Sequence, residues 1–122
     1  MFKPLVLIVD DDVNILRVMR KKLSDAGYDI IEAKNGIESI EQAAKHSPEI
    51  IVMDISMPKL DGIGAILKMK TIDKTRSIPV IVWTGVKEQE DEVIAQELGV
   101  VDYVRKDNFP DLIEKIKKAL DK

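Results

Sequence analysis

Residues 5–12 read LVLIVDDD, a run of five apolar residues that ends in three consecutive aspartates. A short run rich in Val, Ile and Leu is typical of a β-strand that is buried on both faces. Further short runs of the same kind follow along the chain. They predict strands at Tyr28–Ala33, Ile50–Met53, Val80–Trp83 and Val100–Val104.

Between these runs lie segments whose apolar residues recur three and four positions apart, the spacing of an amphipathic helix. The first ends before Gly27, the second begins after Asn35-Gly36, and the fourth stops at Gly99. The five helices carry these apolar positions: Ile15 to Leu23; Ile37, Ile40 and Ala44; Ile63 to Met69; Val93, Ile94 and Leu98; Leu112 to Leu120.

Regular alternation of strand and helix implies right-handed crossovers and a parallel sheet with helices on both faces. No linker or low-complexity segment divides the chain. We therefore expect residues 1–122 to form a single α/β domain. Its doubly wound (βα)5 fold would be flavodoxin-like, with five parallel strands in the order 2-1-3-4-5. Five such units leave no room in these residues for an output domain.

Composition excludes several classes of function. The chain has 122 residues, 22 acidic and 19 basic side chains, a net charge of −3, no cysteine and one histidine. These counts argue against disulfides, a thiol nucleophile, a Cys or His zinc site and a Ser-His-Asp triad. Mild acidity argues against a nucleic-acid module. No apolar run approaches the ~20 residues of a membrane span, and no signal-peptide pattern is present. We expect a cytoplasmic protein.

Polar residues follow four of the predicted strands. Asp10 and Asp11 end the first strand, Asp54 the third, Thr84 the fourth and Lys106 the fifth. In parallel sheets, ligands bind outside the carboxyl ends of the strands. Strands 1 and 3 are neighbours in the expected order, so we expect the three carboxylates to converge at this edge.

Three converging carboxylates repel one another, which raises at least one pKa unless a cation is present. An open cluster of carboxylate oxygens suits Mg²⁺, which takes few protein ligands and keeps several waters. Lys106 adds a positive charge, and Thr84 adds a hydroxyl. A carboxylate nucleophile beside such groups is suited to phosphoryl transfer.

At this point the sequence resembles a family. Four ordered blocks carry the resemblance: Val6–Asp12, Ile51–Gly62, Ile78–Gly85 and Asp102–Lys106. They are similar to the motifs of CheY-like receiver domains, the phosphorylated modules of response regulators in two-component signal transduction. The second block includes the run DISMPKLDG, which resembles the phosphoacceptor segment. Together the blocks cover nearly the whole chain.

The resemblance implies a phosphorylation site and a metal site. Asp54 would accept a phosphoryl group from a sensor histidine kinase or a histidine phosphotransfer protein. Asp11, Asp54 and the backbone carbonyl of Ser56 would bind Mg²⁺ directly, and Asp10 would assist through a water molecule. The protein would be a switch that catalyses only its own phosphotransfer and dephosphorylation.

The resemblance also implies an output. Thr84 and Lys106 would contact the phosphoryl oxygens, and Tyr103 would swing inward when Thr84 moves. The face formed by the fourth helix, the fifth strand and the fifth helix would then change and control a downstream protein. We expect a monomer or a weak phosphorylation-dependent dimer, with no direct contact with nucleic acid or membrane.

Two positions depart from the family pattern. The family commonly has proline after the lysine, joined by a cis bond, but here Asp107 follows Lys106. A cis bond to a residue other than proline costs about 2.5–4 kcal/mol, so a trans bond is expected and the aim of Lys106 stays open. Trp83 stands where smaller apolar residues are usual. It either packs under the fourth helix or restricts the movement of Thr84.

Two other functions fit part of the pattern. A phosphohydrolase of the haloacid dehalogenase type would use Asp10 as nucleophile, since Asp10-x-Asp12-x-Asn14 partly fits its motif. That class needs a further acidic pair on a later strand, and it leaves the Asp54 segment unexplained. The other alternative is a receiver-like binding module that works without phosphorylation.

Overall fold

A computed structural model describes residues 3–55, 61–85, 96–106 and 108–121 of the chain. Within these ranges the elements are β1 (Leu5–Val9), α1 (Val13–Asp25), β2 (Asp29–Ala33), α2 (Gly36–His46), β3 (Ile50–Asp54), α3 (Asp61–Met69), β4 (Val80–Thr84), β5 (Asp102–Arg105) and α4 (Phe109–Leu120). Helix α4 is the last predicted helix. The fourth predicted helix, with Val93 and Ile94, falls largely outside the described residues.

The strands form one parallel sheet in the order β2-β1-β3-β4-β5, as expected. Val9 pairs with Met53 across β1 and β3, and Asp54 pairs with Trp83 across β3 and β4. Because the strands are parallel, the residues that follow them emerge at the same edge. The doubly wound fold therefore brings the polar strand ends together.

The core has two layers because successive residues of a strand point to opposite faces of the sheet. Helices α2 and α3 cover one layer, while α1 and α4 cover the other. The first layer contains the fully buried strand residues Leu7, Val9, Ile51, Met53 and Val82. The second contains Val6, Ile8, Val52, Ile81 and Trp83. Burial on both faces explains why β1, β3 and β4 lack polar alternation.

Local capping determines where α1 begins and ends. The Asp12 side chain accepts a hydrogen bond from the Asn14 amide at 2.9 Å, which satisfies one of the free N–H groups of the first turn. Gly27 follows the helix with a φ of 102°, a left-handed conformation that favours glycine. The end of the helix agrees with the predicted end before Gly27.

The structure corrects one strand boundary and shows which face of the sheet Trp83 occupies. Strand β5 begins at Asp102 rather than Val100, and Val101 before it is half exposed. Trp83 faces the layer covered by α1 and α4, whereas Leu98, a described residue of the fourth predicted helix, packs against the opposite layer. Its ring lies 5.4 Å from that of Phe109, between centroids.

No helix in the described part of the chain is both long enough and apolar enough to cross a membrane.

Candidate functional site

Three carboxylates meet at the carboxyl edge of the sheet. One oxygen from each of Asp10, Asp11 and Asp54 can be chosen so that all three lie within 4.8 Å of one another. Asp10 and Asp54 are almost completely buried, whereas Asp11 is exposed. The predicted convergence is confirmed, and the cluster opens to solvent on the Asp11 side.

The main chain around β1 fixes the position of Asp10. Its amide donates to the Ala33 carbonyl at 3.2 Å, which extends the contact between β1 and β2 by one residue. Its Oδ1 accepts a hydrogen bond from the Asp12 amide at 2.9 Å. Burial raises the pKa of Asp10 and outweighs the lowering effect of Lys106 and the Asp12 amide, while the charge of Asp54 raises it further.

Lys106 reaches into this cluster from the end of β5. Its amide donates to the Thr84 carbonyl at 2.8 Å, so the main chain is held against β4 just before the side chain turns inward. Its Nζ lies 2.8 Å from Asp54 Oδ2 and 2.7 Å from Asp10 Oδ2. Burial lowers the pKa of Lys106, but the contacts with the two aspartates outweigh this effect and raise it overall.

The contacts of Lys106 show how its side chain is aimed, which was open because Asp107 stands in place of the family's proline. Asp107 itself lies outside the described residues. The preceding hydrogen bond between Lys106 and Thr84 aims the lysine at the carboxylates without any requirement for a proline. The Lys106 side chain passes close to Gly85, where a Cβ would lie 3.4 Å from Lys106 Cδ.

Thr84 and Tyr103 lie on the same face of the sheet. Tyr103 pairs with Val82, and Thr84 follows Val82 by two positions, which returns its side chain to the same face. Thr84 is fully buried, and Tyr103 is half-buried against the layer covered by α2 and α3. The Lys115 side chain holds this strand from the other side, donating to the Tyr103 carbonyl at 3.1 Å.

One contributor to the site was not predicted as such. Gly62, the second residue of α3, lies so close to β3 that a Cβ there would overlap the Asp54 carbonyl oxygen. The sequence did contain a signal for this close approach: a glycine stands in the first turn of the helix that follows the acidic strand. Ser56, the predicted source of a metal-binding carbonyl, lies outside the described residues.

The residues present fit a hard divalent cation. Their donors are carboxylate oxygens, one of the three aspartates is open to water, and burial raises the pKa of Asp10, which a nearby cation would counteract. Lys106 supplies one positive charge against three carboxylates. Mg²⁺ prefers such sites, in which it retains several waters.

Comparison with known proteins agrees with this geometry. The family model described as "Response regulator receiver domain" matches residues 6–117. The chain is 33% identical over 115 residues to "Alkaline phosphatase synthesis transcriptional regulatory protein PhoP" of Bacillus subtilis (strain 168), covering 94% of this chain and 47% of that protein. It is 34% identical over 114 residues to "Probable transcriptional regulator ycf27" of Porphyridium aerugineum, covering 93% and 46%.

The chain thus spans about half the length of these curated relatives. A solved structure of a CheY-like response regulator receiver domain protein from Methanospirillum hungatei JF-1 superposes with a TM-score of 0.87 and 29% identity. That match covers 98% of this chain and 95% of the other. The chain belongs to the response regulator receiver domain family of two-component systems.

Proposed function

We propose that this receiver domain is a switch activated by phosphorylation of Asp54. The phosphoryl donor is the phosphohistidine of a sensor histidine kinase or of a histidine phosphotransfer protein. The Asp54 carboxylate attacks the phosphorus atom, a P–O bond forms, the P–N bond to the donor breaks and the imidazole leaves. The product is an aspartyl phosphate, and water later hydrolyses it to inorganic phosphate and the free carboxylate.

The observation that carries this proposal is the position of Asp54. It ends a buried strand, its carboxylate is 2.8 Å from an ammonium group, and two further carboxylates surround it. Lys106 is placed to neutralise the phosphoryl oxygens as charge moves onto Asp54. Thr84 directly follows Trp83, the β4 residue that pairs with Asp54, so it adds a hydroxyl-bearing residue at the same end of the sheet.

We assign the metal site to Asp11 and Asp54 as direct ligands, with Asp10 acting through water and the Ser56 carbonyl completing the protein ligands. Mg²⁺ bound there would screen the repulsion between the carboxylates and the incoming phosphoryl group. The Asp12 amide holds one oxygen of Asp10 and Lys106 contacts the other, which supports an indirect role for this carboxylate.

Phosphorylation would change the conformation of residues on β4 and β5. Thr84 would move toward the phosphoryl group, and Tyr103, on the same face of the sheet, would turn inward to fill the space. Strand β5 is tied to α4 by Lys115, whose Nζ lies 3.2 Å from Asp102 Oδ1 and 3.3 Å from Asp111 Oδ2. We propose that the fourth predicted helix, β5 and α4 form the surface that contacts the downstream protein.

The relatives indicate the kind of output. Both are named as transcriptional regulators and are about twice as long as the matched region, so we propose that this domain controls transcription through a further domain or a partner. Residues 1–122 would act as one receiver domain in the cytoplasm. The domain itself would contact neither nucleic acid nor membrane, and it would be a monomer or a weak dimer that tightens on phosphorylation.

The test is a time course of intact mass with Mg²⁺ and acetyl phosphate. We expect the mass of one phosphoryl group to appear on the wild type and to be absent from Asp54→Asn and from samples with EDTA. Steady release of phosphate that depends on Asp10 would instead indicate a hydrolase. No modification and no phosphate release would indicate a binding module that works without phosphorylation.

A further inference from the structure

Helix α3 packs directly onto the main chain of Asp54. A Cβ built on Gly62 would overlap the Asp54 carbonyl oxygen, and it would lie 3.0 Å from the Asp54 carbonyl carbon and from Ile55 Cα. Real Cβ atoms essentially never approach a heavy atom as closely as this overlap with the carbonyl oxygen, so any side chain here would force the two segments apart. The atoms in the way belong to the backbone, so no change of rotamer can relieve the overlap.

The requirement for glycine here is therefore one of space. The positive φ values among the described glycines belong to Gly27 and Gly99, not to Gly62. Alanine would fit the helical conformation at position 62 and would raise helix propensity. What alanine removes is the close approach between α3 and the end of β3.

That close approach bears on the reacting carboxylate. Asp54 is held on one side by its pairing with Trp83, and its carboxylate is within hydrogen-bond distance of Lys106. A main-chain shift at Asp54 would move the carboxylate relative to both Lys106 and the neighbouring aspartates. A displacement of about 1 Å in a reacting group can slow a reaction on the order of 100-fold.

We propose that Gly62 is a positioning residue for the phosphoacceptor, and that it acts by letting α3 fix the Asp54 main chain. This proposal rests on the proposed function of Asp54. Gly62 touches neither the phosphoryl group nor the metal. It sets where the carboxylate lies and, through that, how well the site binds Mg²⁺ and reacts.

Helix α3 contains its own matched control. Gly64 lies two positions further along the same helix, is exposed, and a Cβ there would meet no atom within 4 Å. Gly64→Ala and Gly62→Ala are the same chemical change in the same helix. They differ in whether the added methyl group meets the Asp54 main chain.

The experiment compares the wild type, Gly62→Ala and Gly64→Ala, with the phosphorylation rate measured well below their unfolding temperatures. Two quantities are measured: the rate of phosphorylation by acetyl phosphate, from intact mass, and the Mg²⁺ affinity, from the rise in Tm with Mg²⁺ concentration. We expect Gly62→Ala to react roughly 10- to 100-fold more slowly and to bind Mg²⁺ about tenfold more weakly. Gly64→Ala should match the wild type in both.

The possible outcomes distinguish a failure of the proposed role of Gly62 from a failure of the proposed function of Asp54. If Gly62→Ala lowers Tm but keeps the rate and Mg²⁺ affinity of Gly64→Ala, Gly62 serves packing alone and the proposal is wrong. If the wild type and Gly64→Ala are themselves not phosphorylated, the proposed function fails instead.

Should Gly62→Ala be unfolded in buffer, the measurements are repeated in trimethylamine N-oxide, which favours compact states. Failure to fold even there would overturn the assignment, because the contact would then be required for the fold itself.

Discussion

The Lys106 ammonium lies 2.8 Å from Asp54 Oδ2, although 52 positions separate the two residues in the sequence. The same ammonium lies 2.7 Å from Asp10 Oδ2. Both carboxylates are almost completely buried, so this cation offsets much of the cost of holding two negative charges next to each other. We infer that the lysine stabilises the unphosphorylated site, in addition to the role in phosphoryl transfer that we propose for it.

Replacing this lysine should lower the stability of the fold. We expect Lys106→Met to reduce the free energy of unfolding at neutral pH by about 1–3 kcal/mol, because two buried carboxylates lose their shared cation. Urea denaturation measures the change. The matched control is Lys21→Met, which breaks the exposed ion pair with Asp25 and should change stability by less than about 0.5 kcal/mol. Equal effects of the two variants would show that the buried contacts contribute little.

The first helix offers a second test of local structure. Asp12→Ala removes the N-cap of α1 and should cost about 0.5–2 kcal/mol of unfolding free energy. Asp25→Ala, at the other end of the same helix, removes a negative charge from a position that the helix dipole disfavours and should be close to neutral. Thermal unfolding of the two variants under identical conditions compares them. A smaller loss for Asp12→Ala than for Asp25→Ala would contradict the capping geometry.

The raised pKa of Tyr28, which lies far from the candidate site, predicts that the free energy of unfolding depends on pH. Burial raises the pKa of its phenol, and the charge of Asp121 raises it further. Because the folded-state pKa lies above the unfolded value of about 10, the stabilising contribution is present below pH ~10 and is lost as pH rises through the folded pKa. The unfolding free energy of the wild type should fall more steeply above pH ~10 than that of Tyr28→Phe. Parallel curves for the two proteins would show that Tyr28 ionises as an exposed tyrosine does.

Trp83 reports on the strand that carries Thr84. It is the single tryptophan of the chain, it is fully buried, and it precedes Thr84 directly. We expect its fluorescence to change in intensity or wavelength when acetyl phosphate and Mg²⁺ are added. The change should be absent in Asp54→Asn. An unchanged spectrum while intact mass shows full phosphorylation would contradict coupling through β4.

The sequence was sufficient to predict the fold and the convergence of three aspartates. Alternating apolar runs and amphipathic segments indicate a doubly wound sheet, and the strand order then places Asp10, Asp11 and Asp54 at one edge. These predictions succeeded because they depend on periodicity and strand ends, which are local features. The β5 boundary was less accurate, since Val100 and Val101 have strand propensity but lie before the paired region.

Other features depend on distances that sequence does not contain. The face occupied by Trp83 follows from the exact register of β4, and a one-residue shift reverses it. Gly62 shows its importance only once α3 is seen against the Asp54 carbonyl. The aim of Lys106 was open because the proline of the family is missing, and a main-chain hydrogen bond to Thr84 provides the alternative support.

We expect Asp54, rather than another carboxylate of the cluster, to receive the phosphoryl group. Borohydride reduction of the protein treated with acetyl phosphate converts an aspartyl phosphate to homoserine, and peptide mapping by mass spectrometry then locates it. We predict homoserine at position 54 alone, dependent on Mg²⁺. Homoserine at position 10 or 11, or at no position while intact mass shows phosphorylation, would contradict the assignment.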